Sequence, residues 1–263
     1  MTQNNLPKVT VITVVYNGAE LLEDTIKSVI NQTYSNLEYI IIDGGSTDGT
    51  LNLINKYSKK LKYWISEQDQ GIYDAMNKGV KASSGEWLIF MNSGDWFYEV
   101  TTIEKIFLCR DLSTTEFVYG NTLKRSAHKI KVDIPSKASE FWKKLVVHQS
   151  IFSRKALNEK YPFDLNFKVS ADFDFIFKVF YYRHQTLYVD EVISSFDMIG
   201  FSKQNRYLGF SEDRCIALKY RGNLIVGYRV YWHYIVITIR GKFIDIIRRW
   251  LPSLFNKLKE LNR

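Results

Sequence analysis

Blocks of apolar residues alternate with amphipathic stretches in the first part of the chain. Lys8–Val15 is nearly all apolar and β-branched, which predicts a buried strand, and the turn residues Tyr16-Asn17-Gly18 follow it. Apolar residues then recur at helical spacing as far as Ile30. The alternation continues with predicted strands at Leu37–Ile42, Tyr63–Ser66 and Trp87–Met91, and with predicted helices after Thr50 and over Ile72–Val80. Strands that alternate with helices in this way predict a parallel sheet with right-handed crossovers.

The second part of the chain has a weaker pattern, with predicted helices at Thr102–Cys109 and Ala171–Tyr181 and predicted strands at Phe117–Gly120 and Thr186–Val189. No Pro/Gly-rich linker divides the two parts. We therefore expect one α/β domain over residues 1–218, with a first half at about 1–98 and a second half at about 99–218. Residues 219–263 form a predicted helical tail.

The predicted tail carries the net positive charge of the chain. The formal net charge is +8, and residues 219–263 contain ten basic and two acidic residues, so the tail holds the whole excess. Leu224–Ile239 is interrupted by Arg229 and His233 and is too short and too polar for a membrane span. Beyond it, apolar residues recur at helical spacing beside basic ones: Ile244, Ile247, Leu251, Leu254, Leu258 and Leu261. The pattern predicts an amphipathic helix on an anionic membrane surface; the alternative is a helix packed on the domain.

The composition excludes several classes of protein. Hydrophobic residues make up 46% of the chain, enough for a sizeable core, so a disordered protein is excluded. Cys109 and Cys215 have no CxxC or His/Cys spacing, which argues against a disulfide framework and a structural zinc site. The polar start MTQNNLPK lacks the pattern of a signal peptide. We therefore expect a protein of the cytoplasm.

A glycine-rich loop, Asp43–Thr50, follows the second predicted strand. Its glycines at 44, 45 and 49 match neither a Gly-Lys-Ser/Thr phosphate loop nor a dinucleotide fingerprint, and Ile54 stands where an EF-hand needs Glu. A carboxylate at a strand tip needs a partner, so Asp43 is a candidate to bind a nucleobase or a ribose hydroxyl. Thr47 and Asp48 are placed to cap the following helix.

A second polar cluster, Asn92-Ser93-Gly94-Asp95, ends the apolar run of the fourth predicted strand. Open α/β sheets bind ligands at the carboxyl ends of their strands, so Asp95 is a candidate ligand for a hard divalent cation such as Mg²⁺. One carboxylate is enough only when a diphosphate supplies further oxygens, so we expect metal and diphosphate together. Lys78 shares a predicted helical face with Asp74 and Asn77 and is expected either to hold a diphosphate or simply to pair with Asp74.

Two carboxylates, Asp172 and Asp174, lie among apolar residues late in the chain. Because they are two residues apart, they do not share a helical face. We therefore expect one to be a general base or a ligand and the other to cap or pair, and Asp172, nearer the helix start, is the candidate base. His148 and Gln149 follow an apolar stretch, where a single His is equally consistent with a structural role.

Together and in order, these stretches resemble the family 2 glycosyltransferases, which have the GT-A fold. The matching segments span roughly residues 9–175 and read VITVVYN, SVINQTY, EYIIIDGGSTDGT, GIYDAMNKG, GEWLIFMNSGD, HQSIFSR and ADFD. The resemblance implies a mostly parallel, Rossmann-like central sheet flanked by helices, here with a C-terminal helical extension. It also implies an inverting reaction. A base deprotonates an acceptor hydroxyl, which attacks the anomeric carbon of a nucleotide-sugar while a metal-held nucleoside diphosphate leaves.

The same resemblance implies roles for single residues. Asp43 resembles the carboxylate that contacts the nucleobase, Asp95 the ligand of Mg²⁺ or Mn²⁺, and Asp172 the catalytic base. His148 and Gln149 fall in the acceptor or diphosphate region. The implied donor contacts are Thr13, Tyr16, Asn17, Asp43, Asp69, Asn77, Lys78, Asn92, Ser93 and Gly94.

The closest resemblance is to bacterial enzymes that assemble capsule, exopolysaccharide or lipopolysaccharide units. It implies transfer from a nucleotide-sugar, with UDP-sugars favoured, to a lipid-linked or glycan acceptor at the inner face of the cytoplasmic membrane, with no nucleic acid as partner. Three positions depart from the family pattern, because carboxylates are common where Asn92 and Gly94 stand and Glu is common at Ala171. A non-catalytic nucleotide- or glycan-binding subunit of the same fold therefore remains an alternative. A nucleotidyltransferase is disfavoured, since no basic glycine-rich loop lies near the N-terminus.

Overall fold

The computed structural model describes residues 6–126, 129–136, 138–143, 146–197, 205–220 and 224–251. Two compact units divide between residues 203 and 204. In the first unit the elements are β1 (Val9–Val15), α1 (Ala19–Ile30), β2 (Leu37–Asp43), α2 (Thr50–Tyr57), β3 (Tyr63–Ser66), α3 (Ile72–Ala82), β4 (Trp87–Phe90), β5 (Trp96–Phe97), α4 (Thr102–Phe107), β6 (Phe117–Ser126), β7 (Lys129–Asp133), β8 (Ile151–Arg154), α5 (Lys155–Lys160), α6 (Ala171–Tyr181) and β9 (Thr186–Asp197). Short 3₁₀ helices lie at Ser58–Lys60, Ala138–Lys143 and His148–Ser150.

The strands form one nine-stranded sheet in the order β3-β2-β1-β4-β8-β6-β9-β5, with β7 paired to β6. β1 to β4 are parallel, and β1 lies between β2 and β4. β8 then joins β4 in the antiparallel direction. Because strand order reverses at β1, the crevice at the carboxyl ends of β1, β2 and β4 is where such a sheet binds ligands.

Helices cover both faces of the parallel strands, which explains why these strands have continuous apolar sequences. Val9, Val11 and Val15 of β1 belong to the core beneath α1, α2 and α4. Ile12 and Val14 belong to the core on the opposite face, beneath α3, α5 and α6. Both faces of β1 are therefore dry, and the polar loops at its end are held on a rigid support.

The predicted elements of the first half are confirmed, with small differences at their ends. The differences are larger in the second half, where β6 and β9 continue to Ser126 and Asp197, well beyond the predicted strands. These extensions pair with each other and with the short strands β5 and β7, which the sequence pattern did not predict. The pattern also missed β8 and α5, because four- and six-residue elements leave little periodicity.

The second unit contains α7 (Arg206–Lys219) and α8 (Leu224–Trp250). α7 packs on α8, since Arg206 and Tyr207 bind Asp245 and a Cβ atom at Gly241 would lie 3.5 Å from the Tyr207 ring. This packing places the boundary between the units earlier than the expected position at 218/219.

α8 is one helix of 27 residues, where the sequence suggested two segments. Of the predicted apolar row, Ile244 is half-buried and Leu251 is exposed, whereas Leu254, Leu258 and Leu261 lie outside the described residues. Within the described part of the chain, no helix has the length and apolar character needed to cross a membrane.

Candidate active site

The loops after β1 and β2 are tied together at the carboxyl edge of the sheet. Asn17 has a left-handed φ of 47°. Its N–H donates to Ser46 Oγ at 2.7 Å, and its side-chain oxygen accepts from the Thr47 N–H at 2.9 Å. Asn17 thus holds the two loops in one arrangement, while Tyr16, another predicted donor contact, is 66% exposed beside it.

Asp43 lies at the end of β2 and is completely buried. Its Oδ2 accepts from the Gly45 N–H, the Ser46 N–H and the Ser66 hydroxyl at 3.1, 2.9 and 2.6 Å. Its Oδ1 accepts from the Ser46 hydroxyl. The carboxylate therefore shapes the glycine-rich loop and links it to β3, and its predicted contact with a nucleobase stays a prediction that requires this loop to open.

Asp48 caps helices, as its position in the loop predicts. Its two oxygens accept from the Thr50 N–H and hydroxyl, at the start of α2, and from the Ala19 N–H, at the start of α1. These hydrogen bonds, led by that from the Thr50 hydroxyl, hold the pKa of Asp48 below its ordinary value of 3.8. One carboxylate thus stabilises two helix N-termini.

Asp69 lies against Gly44, in the loop between β3 and α3. A Cβ atom at position 44 would come within 2.4 Å of Asp69 Oδ2, so a larger residue there would displace the Asp69 carboxylate. Lys78 forms ion pairs with Glu67 at 2.8 Å and with Asp74 at 3.4 Å, and the Glu67 contact raises the pKa of its ammonium group. The predicted Asp74–Lys78 pair is therefore present, at the edge of the candidate site.

Two predicted donor contacts have polar groups that form hydrogen bonds inside the fold. Thr13 is completely buried on the α1 side of β1, where its hydroxyl donates to the Met91 carbonyl at 2.7 Å. The amide of Asn77 donates to the Phe163 carbonyl and accepts from the Phe163 N–H. Both residues join elements of the fold, and their contacts with the donor stay predictions.

The Asn92–Asp95 cluster is a tight turn after β4. The Asp95 N–H donates to the Asn92 carbonyl at 2.9 Å, and Gly94 has a φ of +94°, a conformation that side chains with a Cβ rarely adopt. A residue with a carboxylate side chain would therefore be strained at position 94 in this turn. Arg125 supports the turn from β6, because it donates to the Gly94 carbonyl at 3.1 Å and stacks on Trp96 with 3.4 Å between its Cζ and the ring centre.

Asp95 is 6% exposed and accepts a hydrogen bond from Gln149 Nε2 at 2.7 Å. Gln149 belongs to the 3₁₀ helix that precedes β8. Three buried side-chain atoms around this contact have no hydrogen-bond partner among the described residues: Asn92 Oδ1, Ser93 Oγ and Gln149 Oε1. Most buried polar atoms in proteins have a hydrogen-bond partner, so these three atoms are available to a polar ligand.

The residue before Gln149 contacts the second candidate carboxylate. His148 Nδ1 lies 3.0 Å from Asp172 Oδ2, and His148 Nε2 lies 3.0 Å from Asn92 Nδ2. Since the Asn92 amide donates to Nε2, the imidazole proton is on Nδ1 and is donated to Asp172. The hydroxyl of Tyr73, from α3, donates to the other Asp172 oxygen at 2.9 Å. A continuous set of hydrogen bonds therefore joins the turn after β4 to the start of α6.

Asp174 has a different environment from Asp172, as the spacing of the two predicts. Its side chain is 1% exposed and pairs with Lys178, one turn later in α6, at 2.6 Å. Asp172 is 14% exposed at its side chain and faces His148 and Tyr73. The buried ion pair of Asp174 is structural, and Asp172 is the carboxylate on the crevice side.

The sequence profile described as Glycosyl transferase family 2 matches residues 10–170. This chain belongs to that family. The family 2 chain is 31% identical to the PGL/p-HBAD biosynthesis glycosyltransferase of Mycobacterium bovis (strain BCG / Pasteur 1173P2) over 200 residues, which cover 74% of this chain and 78% of that protein. It is 33% identical over 179 residues to an uncharacterized glycosyltransferase of Mycobacterium tuberculosis (strain ATCC 25618 / H37Rv), with 65% and 68% covered.

Two solved structures are similar to this family 2 chain. S. aureus TarS 1–349 in complex with UDP-GlcNAc gives a TM-score of 0.69 at 16% identity and covers 87% of this chain and 71% of that chain. The mannosyltransferase PcManGT from Pyrobaculum calidifontis in complex with GDP-Man and Mn²⁺ gives a TM-score of 0.69 at 17% identity, with 98% and 81% covered. The expected GT-A fold is therefore confirmed.

A divalent cation fits this family 2 site only together with a substrate. Within the described residues, no group of three or more His, Cys, Asp or Glu is arranged to hold a metal ion. The turn does combine the Asp95 carboxylate with the neutral oxygens of Asn92 and Gln149, which lack partners among the described residues. Carboxylate and neutral oxygens suit Mg²⁺ or Mn²⁺ when phosphates complete the coordination.

The sequence did not identify two residues of the site. Tyr73 lies in a stretch that resembles the family, but its position on an apolar helix predicts a core residue, and only its hydroxyl reaches Asp172. No sequence motif marks Arg125 as a site residue, because it lies on the polar extension of β6 that the hydrophobic pattern does not predict.

Proposed function

We propose that this family 2 chain is an inverting glycosyltransferase that moves a sugar from a nucleotide-sugar to a hydroxyl group of an acceptor. One observation carries the proposal: the consecutive residues His148 and Gln149 contact Asp172 and Asp95. A candidate base and a candidate ligand for the leaving diphosphate are thereby held by neighbouring residues of one short helix. Such an arrangement suits an in-line displacement, which needs a base and a leaving group on opposite sides of the anomeric carbon.

Asp172 is the proposed base, and it takes the proton of the attacking hydroxyl on one of its oxygens. His148 and Tyr73 donate hydrogen bonds to the carboxylate and fix its orientation. A positioned carboxylate of this kind contributes about 10²–10⁴-fold to a rate. Asn92 holds the His148 ring by its other nitrogen, so the base is oriented from the turn that also carries Asp95.

We place the nucleoside diphosphate against the turn after β4 and the loops after β1 and β2. Asp95 would hold a Mg²⁺ or Mn²⁺ ion, with the oxygens of Asn92 and Gln149 as neutral partners. When bound, the ion offsets the negative charge that develops on the leaving diphosphate. The other predicted contacts to the donor are Thr13, Tyr16, Asn17, Asp43, Asp69, Asn77, Lys78, Ser93 and Gly94, and a UDP-sugar is the favoured donor. The binding of UDP-GlcNAc by TarS and of GDP-Man with Mn²⁺ by PcManGT supports a nucleotide-sugar and a divalent ion.

The proposed acceptor is a lipid-linked or glycan molecule of bacterial surface-glycan synthesis, and the proposed location is the inner face of the cytoplasmic membrane. The name of the M. bovis relative, a PGL/p-HBAD biosynthesis glycosyltransferase, supports a biosynthetic transfer reaction. The alternative, a non-catalytic binding subunit, rests on Asn92, Gly94 and Ala171. At position 94 this turn would strain a carboxylate side chain, because Gly94 has a positive φ.

Calorimetric titration of the full chain with UDP and GDP, with and without Mn²⁺, tests the proposal. We expect Mn²⁺-dependent binding that Asp95→Ala abolishes, and we expect Glu159→Ala, which removes a surface ion pair with Lys155, to leave it intact. Binding that needs no metal and survives Asp95→Ala would contradict the assignment of Asp95. Transfer or donor hydrolysis that depends on Asp172 would exclude the non-catalytic alternative, whereas donor binding without either reaction would support it.

A further inference from the structure

One face of α8 carries a row of large apolar side chains that are exposed. Val236, Ile239, Phe243, Ile246 and Trp250 are between 56% and 71% exposed. They are three or four residues apart in alternation, so they form one stripe along the helix, which we call the α8 stripe. Single exposed apolar residues are ordinary, but a continuous row of this length marks an interaction surface.

The α8 stripe points away from α7. The opposite side of α8 carries Gly241, which faces the Tyr207 and Phe210 rings of α7, and Asp245, which binds Arg206. At about 100° per residue, Gly241 lies on the far side of the helix from Phe243 and Trp250. Packing within the second unit therefore accounts for one side of α8 and leaves the stripe uncovered.

Basic side chains border the stripe on both sides. Arg240 lies along one border, Lys242 and Arg249 lie along the other, and all three are exposed. Asp245 is the only acidic residue between 224 and 251, and its carboxylate is bound to Arg206 on the covered side. The exposed side of α8 thus combines an apolar centre with positively charged borders.

We propose that the α8 stripe binds the surface of a membrane that contains anionic lipid. The apolar side chains enter the boundary between headgroups and acyl chains, and Arg240, Lys242 and Arg249 pair with the anionic headgroups. Trp250 favours this depth, because its ring is apolar and its N–H is polar. The proposal deepens the proposed membrane location of the enzyme by naming the surface, and its test measures lipid binding without any use of transferase activity.

The charges favour a membrane over a second copy of the chain. The alternating spacing of the stripe also suits a helix dimer, in which residues beside the apolar seam face each other. In such a dimer the basic borders of one helix would meet the basic borders of the other, with no acidic side chain on the exposed side to pair with them. Anionic lipid headgroups, in contrast, would attract these basic side chains.

Sedimentation of the full chain with phospholipid vesicles tests the proposal. We expect binding to phosphatidylcholine vesicles with about 30% phosphatidylglycerol, weaker binding without the anionic lipid, and loss of this difference at high salt. Each basic residue near an anionic leaflet strengthens binding about five-fold, so Arg240→Gln/Lys242→Gln/Arg249→Gln lowers the partition coefficient about 100-fold. Ile239→Ser/Phe243→Ser/Ile246→Ser lowers binding to both kinds of vesicle by at least about 100-fold.

Two control variants remove the same kinds of exposed side chain, apolar and basic, from the first unit. Ile130→Ser/Ile134→Ser removes apolar side chains that are each 68% exposed. Lys59→Gln/Lys60→Gln/Lys62→Gln removes three exposed positive charges. Both controls are expected to bind vesicles as the unchanged protein does, and circular dichroism confirms that every variant is folded.

Vesicle binding that survives the stripe substitutions would overturn the proposal, as would equal losses in the controls. Sedimentation velocity without lipid adds a further test. A dimer that Phe243→Ser converts into a monomer would assign the stripe to a second copy and overturn the membrane assignment.

Discussion

Asp43 and Asp95 are buried carboxylates at the carboxyl ends of β2 and β4, the two neighbours of β1, yet their surroundings differ. Asp43 accepts hydrogen bonds from two backbone N–H groups and two hydroxyls of nearby residues. Asp95 accepts a hydrogen bond from Gln149, which lies on a distant segment, and three buried polar atoms around this contact have no hydrogen-bond partner in the described part of the chain. The first carboxylate organises a loop, whereas the second belongs to the turn that we propose binds the donor.

Position at a strand tip is therefore a weak guide to the role of a carboxylate, and the residues that donate hydrogen bonds to it are a better one. The same contrast separates Asp174 from Asp172, because Asp174 is paired within its own helix and Asp172 is held by residues from other elements. A carboxylate that its own segment satisfies contributes to folding. One that distant residues orient is available for a reaction.

The largest expected effect is on the rate of transfer in Asp172→Asn. The asparagine side chain keeps the shape of the aspartate but does not accept the proton of the acceptor, so we expect transfer to fall about 10²–10⁴-fold. Binding of the nucleoside diphosphate, measured by calorimetry, should change little.

Asp174→Asn is the matched control for this prediction. It breaks the buried pair with Lys178 and should lower stability while each folded molecule keeps its transfer rate. A larger loss of transfer in Asp174→Asn than in Asp172→Asn would reverse the assignment of the base.

The next largest effect contrasts the two strand-end carboxylates directly. Asp43→Ala leaves buried N–H and hydroxyl groups without their acceptor, and we expect the free energy of unfolding to fall by about 2–4 kcal/mol. Asp95→Ala should cost less stability and abolish metal-dependent binding of the diphosphate. Urea unfolding, followed by fluorescence, and calorimetry measure the two effects separately. Equal losses of unfolding free energy in Asp43→Ala and Asp95→Ala would show that the two carboxylates contribute equally to folding.

A smaller effect is expected from Tyr73→Phe, which removes one hydrogen bond to Asp172. We expect kcat to fall by about 5–10-fold with the KM for the donor unchanged, because the base is less well oriented. Tyr34→Phe removes a hydroxyl that donates to the Pro7 carbonyl and serves as control, since it should lower stability without changing kcat. A rise in KM alone would show that Tyr73 acts on donor binding instead.

The smallest expected effect is a pH dependence of stability at Asp48. The pKa of Asp48 is below 3.8 in the folded protein, so its charge adds stability above that pH and the contribution is lost as the pH falls through the folded pKa. Asp48→Asn should therefore lower the Tm at pH 7, and the difference should shrink as the pH falls below about 3.8. A constant difference in Tm across this range, measured by calorimetry, would show that the charge contributes nothing.

The sequence predicted the parallel strands well, because burial on both faces gives an uninterrupted apolar run. It did not predict the extensions of β6 and β9, since residues such as Lys124 and Ser195 read as loop and are ordered by pairing with distant strands. It also gave no indication that Thr13 points inward, because both faces of β1 are buried and alternation carries no information there.

The sequence predicted which residues form the candidate site, but it did not predict how their side chains contact one another. Asp95, His148 and Asp172 stand out by type and position, but their separations along the chain do not reveal that His148 contacts Asp172 and Asn92. The same limit applies to α8, where apolar residues occur on several sides. Which of them are exposed depends on α7, and so the α8 stripe differs from the row that the spacing predicted.

The 3₁₀ helix before β8 connects the two carboxylates of the proposed reaction. His148 and Gln149 are consecutive, and they contact Asp172 and Asp95. Their backbone leads directly into β8, which lies between β4 and β6 in the sheet. A shift of this short helix would therefore move the hydrogen-bond partners of both carboxylates at once.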